Sequence, residues 1–297
     1  MSSRVAFIIN PVSGRRGGGA PEGQRRATLA QQALDRTGVN GTIRITEGPQ
    51  HARQLSQTFH HEGVGRVVAW GGDGTINEIA GPLVGTTTAL GIIPAGSGDG
   101  IACSLGLPLA TERALETALI GAAGPIDVGF LGGRHFLNVG GIGFDAAVGR
   151  AFNARRKRGG LGYLTGGLTM AWTYRCQPYQ LTLDEEVMSG ERFVVVFANG
   201  REYGNHVVIA PDADPRDGKL DVLVVADGSV LRQFWRARRL LVRQRSPAEG
   251  LYRTRVTAAT VSGDALVCHV DGEVFEASGA VEVKLVPAGI RVAGMGG

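Results

Sequence analysis

An apolar run, a turn and then a helical pattern recur in that order along the chain as far as Asp127. Val5–Ile9 reads as a strand and Gln24–Thr37 as a helix ended by Gly38; Gly41–Thr46 and His51–His60 repeat the pair. Arg66–Trp70 leads to a helix over Ile76–Val84, and Leu90–Ile93 to a helix over Thr111–Ile120. This alternation predicts a doubly wound, mostly parallel sheet with functional sites at the C-terminal ends of its strands.

Beyond Asp127 the rhythm changes. Phe136–Val139, Tyr179–Asp184, Phe193–Ala198, Val207–Ala210, Leu220–Val225, Arg253–Val261, Ala265–Val270 and Val281–Val286 are strand-like runs. Many are parted by turn pairs such as Asp217-Gly218, Asp227-Gly228 and Asp271-Gly272. Helical patterns interrupt them only near Ala146–Tyr174 and Val230–Gln244. The expected architecture is an α/β doubly wound domain over 1–127 and a second, mostly antiparallel β-rich domain over 128–286. The active site is expected in the cleft between them, and the tail 287–297 is free to return to the first domain.

Glycine is the outlier of the composition, at 47 of 297 residues, roughly twice its average share. These glycines cluster between apolar runs, as GGDG, GSGDG, GGIG and DGE, which points to functional loops on a regular scaffold. The net charge of +4 comes mostly from arginine and suits ATP, an anionic membrane or nucleic acid alike. No run approaches the roughly 18 apolar residues of a membrane span. The opening MSSRVAFIINPVSG reads as a first strand, not a signal peptide. Cys103, Cys176 and Cys268 are scattered and odd in number, which fits a reducing cytoplasm.

The stretch VVAWGGDGTINEIAG combines a strand, a glycine turn and a helix start. It matches neither GxxxxGK[ST] nor GxGxxG. Thr75 and Glu78 have the spacing of a capping box, with Thr75 as N-cap. Gly71, Gly72 and Gly74 leave N–H groups unobstructed beside a helix N-terminus, as a phosphate chain requires. Asp73 would repel phosphate unless a divalent cation such as Mg²⁺ stands between them. Another glycine loop, with Gly96, Gly98 and Gly100, follows the strand that ends at Pro94, and Asn10-Pro11-Val12-Ser13-Gly14 closes the first strand.

Together these residues resemble the diacylglycerol and sphingosine kinase superfamily of lipid kinases. N-P-x-S-G at 10–14, G-G-D-G-T-x-N-E at 71–78 and P-x-G-S-G-D at 94–99 carry the resemblance, followed by L-G-L-P at 105–108. It continues through Asp127-Val128-Gly129, NVGGIGFDAAV, ANGREYGNHVVIAPDADPRDGKLDV and Asp271-Gly272-Glu273, so it touches nearly the whole chain. GGDGT alone is also similar to NAD kinases.

The resemblance implies a two-domain kinase that binds ATP and Mg²⁺ and phosphorylates a membrane lipid. It implies ATP contacts at Asn10, Pro11, Ser13, Gly14, Gly71, Gly72, Gly74, Thr75, Gly96, Ser97, Gly98 and Asp99. Asp73 would belong to the ATP–Mg²⁺ network, Asp127 to the waters around that metal, and Glu273 would be the general base, with Asp271 beside it. An alcohol is a poor nucleophile at neutral pH, so a carboxylate must take its proton as the bond to phosphorus forms. Read without the resemblance, Asp271-Gly272 is a type I′ hairpin turn. Soluble bacterial diacylglycerol kinases carry a further carboxylate where this chain has Gly100; the G-S-G form is closer to sphingosine and ceramide kinases, and Asp99 is the candidate replacement.

Asp212, Asp214, Asp217 and Asp221 resemble an oxygen-ligand loop, though the spacing misses the EF-hand by one residue. The resemblance implies a structural Mg²⁺ on the Asp217 side chain and the backbone carbonyls of Asp214 and Lys219; an ordinary polar turn is the alternative. GIGFDA at 141–146 lacks the acidic residue that a dinucleotide fingerprint needs. Arg155–Arg158 and the arginine-rich stretch 230–245 suit either an anionic membrane surface or a solvated helix face. Without an aromatic platform they do not suggest nucleic acid. The expected setting is cytoplasmic and peripherally membrane-associated, with a homodimer left open. An NAD kinase and a catalytically inactive lipid-binding homologue are the alternatives.

Overall fold

Val5–Ile9 (β1) is buried along its whole length, as a strand covered on both faces must be. The computed structural model describes residues 4–14, 18–154, 174–204, 207–228 and 250–296. They fall into two units, Met1–Val128 with Pro287–Gly297 and Gly129–Val286.

In the first unit β1 is followed by α1 (Ala20–Thr37), β2 (Gly41–Ile45), α2 (His51–His61), β3 (Arg66–Gly71), α3 (Asp73–Ala80), β4 (Ala89–Pro94), α4 (Gly100–Ser104) and α5 (Thr111–Ile120). The strands pair in parallel in the order β2-β1-β3-β4. Because side chains alternate along a strand, Val5, Phe7, Ile9, Val68, Trp70 and Ile93 share one face with Ala30, Ala33 and Leu34 of α1 and Leu115 and Leu119 of α5. Helices α2 and α3 pack on one another, with Ser56 Oγ donating to the Ile79 carbonyl at 2.7 Å, and both lie on β3. Gly38 ends α1 at φ 66°, the left-handed conformation that glycine adopts without a Cβ penalty. Arg66 satisfies the C-terminal carbonyls of α5 at Ala118, Leu119 and Gly121, and its burial pushes its pKa down.

Strand β5 (Ala123–Leu131) leads from the first unit into the second. There follow β6 (Arg134–Phe136), β7 (Val139–Gly143), α6 (Phe144–Ala154), β8 (Gln177–Leu183), β9 (Glu186–Ala198), β10 (Leu220–Ala226), β11 (Leu251–Val256), β12 (Ala258–Val270) and β13 (Glu273–Ala293). The second unit is antiparallel in the order β11-β10-β9-β7-β12-β13, with β8 beside β9 and β12. Its core gathers Phe136, Ile142, Leu181, Val195, Phe197, Val222, Val261 and Val283. The end of β13 returns to the first unit and pairs in parallel with β4, Arg291 against Ala89.

The α/β unit and the strand-rich unit match the expected fold class, while several element boundaries depart from expectation. Helix α3 begins at Asp73, not Ile76, because the Thr75 and Ile76 N–H groups already bond to the Gly72 carbonyl. Phe136–Val139 is a break between β6 and β7, and the glycine-rich Val139–Gly143 is itself a buried strand. Val207–Ala210 forms no strand, only an isolated bridge from Val208 to Glu202. Arg253–Val261 is two strands, and Asp184 accepts from the Thr257 and Ala258 N–H groups where they part. Asp127 lies within β5, which turn residues had hidden. Arg155–Arg158, the helical pattern beyond Ala154 and the stretch 230–245 lie outside the described residues. Among the described residues no helix is long and apolar enough to cross a membrane.

The glycines at 129 and 140 make room for Phe136, which is fully buried. A Cβ on Gly129 would lie 2.1 Å from the Phe136 ring and one on Gly140 3.0 Å from it. Gly129→Ala is therefore expected to destabilise the protein by about 1–3 kcal/mol, read as a lower urea midpoint with an unchanged slope.

Candidate active site

The loops that follow β1, β3 and β4 meet at one edge of the parallel sheet. Asn10 N donates to the Trp70 carbonyl at 2.9 Å, and Ala95 N to the Gly71 carbonyl at 2.8 Å. Asn10 also accepts from Val12 N at 3.0 Å and donates through Nδ2 to Thr75 Oγ1 at 2.7 Å. A Cβ on Gly72 would stand 3.1 Å from the Gly96 Cα, and a Cβ on Gly71 2.6 Å from the Thr75 side chain. Backbone approaches backbone here, which only glycine allows. A Cβ on Gly74 would meet nothing within 4 Å, so open space lies over Gly74. Ser97 is exposed, while Pro11 and Gly98 are half-buried.

The carboxylate of Asp73 ties the second loop to the third. Its Oδ2 accepts from Gly100 N at 2.9 Å and its Oδ1 from Ile101 N at 3.0 Å, the free N–H groups that open α4. Gly100, where the resemblance expects a carboxylate, thus offers its N–H to Asp73. Asp99 sits at φ 48° and accepts from Gly96 N at 2.6 Å, closing its own loop. The capping box is not formed: Gly72 is the N-cap with no side-chain bond, Thr75 accepts from Asn10, and Glu78 accepts from Arg53 N. Asp127 is 2% exposed and accepts from Ala288 N at 2.8 Å, so it fixes the returning tail.

Arg26, which sequence reasoning passed over, lies under the first loop at 5% exposure. Its Nη1 donates to the Asn10 carbonyl and to Ser13 Oγ, both at 2.7 Å, and its Nη2 to the Ser13 carbonyl at 2.8 Å. Its Nε donates to Glu22 at 3.0 Å. Hydrogen bonding from Arg25, aided by Arg26 and opposed by burial, lowers the Glu22 pKa to about 2. The expected helix begins at Gln24 and so leaves out Glu22; neither the Glu22–Arg26 pair nor the reach of Arg26 into the loop is read from the sequence.

In the second unit Asp271 and Gly272 join β12 to β13 with φ 47° and 86°, both positive as a type I′ turn requires. The Asp271 carboxylate accepts from Leu137 N at 2.8 Å and from Asn138 N and Val139 N, each at 3.0 Å. It holds the β6–β7 link. Glu273 follows with its side chain 57% exposed, and Arg134 lies 3.8 Å away.

A buried group absent from the sequence reading stands beside this hairpin. Asp145, at the start of α6, accepts from Tyr203 Oη at 2.7 Å and from His269 Nε2 at 2.9 Å. A Cβ on Gly141 would fall 2.3 Å from Asp145 Oδ2 and 2.6 Å from His269 Nε2, which explains one glycine of GGIG. Burial opposes a charge on His269, but the charge and hydrogen bond of Asp145, with the charge of Asp271, raise its pKa.

In the Asp212–Asp221 loop the acidic side chains are met by backbone N–H groups and by an arginine. Asp214 accepts from Arg216 N at 3.1 Å, and Asp217 Oδ1 from Lys219 N at 3.0 Å. Asp217 Oδ2 meets the Arg255 guanidinium, whose Nε lies 3.5 Å from Asp221. Asp221 and Arg255 are register partners across β10 and β11, so the cation reaches the loop from the next strand. Burial raises the Asp221 pKa, with Asp217 and Asp212 adding and Arg255 opposing. Among the described residues no group of three or more His, Cys, Asp or Glu side chains is arranged to hold a metal. Asp217, which the resemblance implies as the side-chain ligand beside the Asp214 and Lys219 carbonyls, is here paired with Arg255. Asp73 is half-buried in the first turn of α3, whereas Asp127 is buried.

Residues 4–131 match the family described as "Diacylglycerol kinase catalytic domain", and residues 138–294 the "YegS C-terminal NAD kinase beta sandwich-like domain". A protein of Chromohalobacter salexigens named "Probable lipid kinase YegS-like" is 37% identical over 72% of this chain and 70% of its own length. A "Diacylglycerol kinase" of Mycobacterium tuberculosis is 29% identical over 97% of this chain and 94% of its own. Among solved structures, a diacylglycerol kinase crystal structure from Bacillus anthracis superposes with a TM-score of 0.73 at 19% identity, covering 98% of this chain and 96% of that one.

Chelation is expected to leave thermal unfolding of the nucleotide-free protein unchanged, whereas Arg255→Met should lower Tm by several degrees; a fall in wild-type Tm with EDTA, restored by Mg²⁺, contradicts the Arg255 assignment. The raised pKa of His269 means its charged form stabilises the fold fully below the unfolded value of about 6.5 and less as pH rises through the folded value. The Tm gap between wild type and His269→Gln should therefore narrow from about pH 6 to about pH 9. A gap that widens with pH reverses the sign and rejects the pairing.

Proposed function

The chain belongs to the family of diacylglycerol kinases and YegS-like lipid kinases, and on that footing we propose that it transfers the γ-phosphate of ATP to the hydroxyl of a membrane lipid, diacylglycerol-like or sphingoid-like. Its class as a kinase follows from the family; the substrate, ATP and Mg²⁺ belong to the proposal. The observation that carries it is the meeting of three loops at the ends of adjacent parallel strands, with Gly72 against Gly96 and open space over Gly74. Strand ends beside a reversal of strand order are where open α/β sheets bind ligands, and β1 and β3 flank such a point here. N–H groups on glycine turns suit phosphate oxygens, and the positive end of α3 favours their charge.

In this reading the first unit supplies the phosphate cradle. Gly71, Gly72, Gly74, Thr75, Gly96, Ser97, Gly98 and Asp99 line it together with Asn10, Pro11, Ser13 and Gly14. Asp73 would hold water around Mg²⁺, which when bound neutralises phosphate charge. The second unit supplies Glu273, which accepts the proton of the lipid hydroxyl while that oxygen bonds to phosphorus and ADP departs. Glu273 is exposed and has no hydrogen-bonding duty in the second-unit scaffold described above, unlike Asp271. Asp271 then serves by holding the hairpin that presents Glu273. A cytoplasmic enzyme at an anionic membrane surface fits a lipid acceptor, and homodimerisation remains part of the proposal.

The test is transfer of labelled γ-phosphate from Mg-ATP to diacylglycerol, monoacylglycerol, sphingosine and ceramide in mixed micelles, with NAD as a soluble competitor. Label is expected on a lipid, and Glu273→Gln should reduce the rate by roughly 10²–10⁴-fold. Label on NAD alone would replace this reading with an NAD kinase. ATP binding without turnover on any acceptor would favour a catalytically inactive homologue.

A further inference from the structure

Arg26 makes four hydrogen bonds within the protein, and three of them end on the loop assigned above to phosphate. The guanidinium holds the Asn10 and Ser13 carbonyls and Ser13 Oγ, with Glu22 on its Nε. Ser13 Oγ in turn donates to the Asn10 carbonyl at 3.0 Å. The Ser13 hydroxyl is therefore engaged on both sides, which argues against direct contact with a nucleotide.

The backbone has a different disposition. Pro11 has no N–H, Asn10 N is spent on Trp70, and Val12 N on the Asn10 side chain. Ser13 N and Gly14 N make no hydrogen bond among the described residues. No peptide bond is cis, and in a trans peptide the C=O and the following N–H point in opposite directions. With the Ser13 carbonyl turned onto Arg26, the Gly14 N–H points away from it. Gly14 is exposed at φ 113°, a conformation that L side chains rarely adopt, so glycine is needed to present that group. Successive free N–H groups of this kind form a concavity for anions.

We propose that Arg26 is a positioning residue for nucleotide phosphate: it locks Asn10–Gly14 so that the Ser13 and Gly14 N–H groups face the anion, and does not touch the anion itself. The proposal rests on the nucleotide reading above and assigns the cation under this loop an internal role.

The experiment is calorimetric titration of Mg-ATP into wild type, Arg26→Met, Arg26→Lys and Ser13→Ala, with Tm, the KM for the lipid and hydrogen exchange at residues 10–14 measured beside it. Arg26→Met should weaken ATP binding by about 10- to 100-fold, as loss of several charge-assisted bonds implies, with the lipid KM unchanged. Arg26→Lys should recover part of the affinity, and Ser13→Ala should lose less than Arg26→Met because both carbonyls remain held. Wild-type affinity in Arg26→Met, or a larger loss in Ser13→Ala, would overturn the proposal. Equal losses for ATP and lipid, without rescue by lysine, would reduce Arg26 to general stability. If Arg26→Met fails to fold, the order of Arg26→Lys and Ser13→Ala decides. Wild type that binds no Mg-ATP would instead reject the nucleotide reading. The positioning claim then rests on exchange at residues 10–14, which rises in an Arg26 variant if it is right and stays unchanged if it is wrong.

Discussion

The first unit depends on one carboxylate bridging two glycine turns. Asp73 opens α3 and at the same time closes the N-terminus of α4 through Gly100 and Ile101. Without it the start of α4 would carry two unmet N–H groups at the sheet edge. Bonds from backbone N–H to an ionised carboxylate are worth about 1.5–3 kcal/mol each. The approach of Gly72 to Gly96 removes any side chain that could wedge the turns apart. The loop that follows β1 is held by the same logic with the charges reversed, since the buried Arg26 gathers carbonyls as Asp73 gathers N–H groups. A phosphate chain needs such an edge to be set before it arrives, because each ordered backbone residue otherwise costs about 1–2 kcal/mol on binding.

The second unit uses the same device for its hairpin. Asp271 takes the N–H groups of Leu137, Asn138 and Val139 and so binds the turn before Glu273 to the start of β7. The His269–Asp145–Tyr203 group does so a step earlier on β12. A carboxylate that satisfies backbone donors is a poor candidate for proton transfer, and one left exposed on a rigid turn is a better one. Asp271 and Glu273 thus differ in surroundings although both belong to one motif, which is why the proposal gives the proton to Glu273. At the Asp217 turn an arginine from β11 neutralises the acidic residues where the resemblance implied an ion.

Strand and helix order in the first unit was legible because fully buried parallel strands are continuous apolar runs, as β1, β3 and β4 are. The strand Val139–Gly143 was not, since its glycines are there to accommodate Phe136 and the Asp145–His269 pair rather than to turn. Glycine demanded by a distant side chain reads locally as a breaker. Of the site, the glycine loops and the Asp271-Gly272 turn were visible as motifs. The partners of Asp73, the reach of Arg26 and the burial of His269 are long-range contacts that no spacing encodes. Thr75 shows the converse: its spacing to Glu78 reads as a capping box, but the helix starts at Asp73 and Asn10 donates to the Thr75 hydroxyl.

The central claim is that the three loops of the first unit form a nucleotide phosphate site. Hydrogen exchange of the full chain with and without saturating Mg-ATP tests it most directly. Protection is predicted at residues 10–14, 71–76 and 96–101, with the remaining strands of both units little changed. Saturable binding of Mg-ATP that leaves those segments unprotected, with slowed exchange elsewhere, would contradict it.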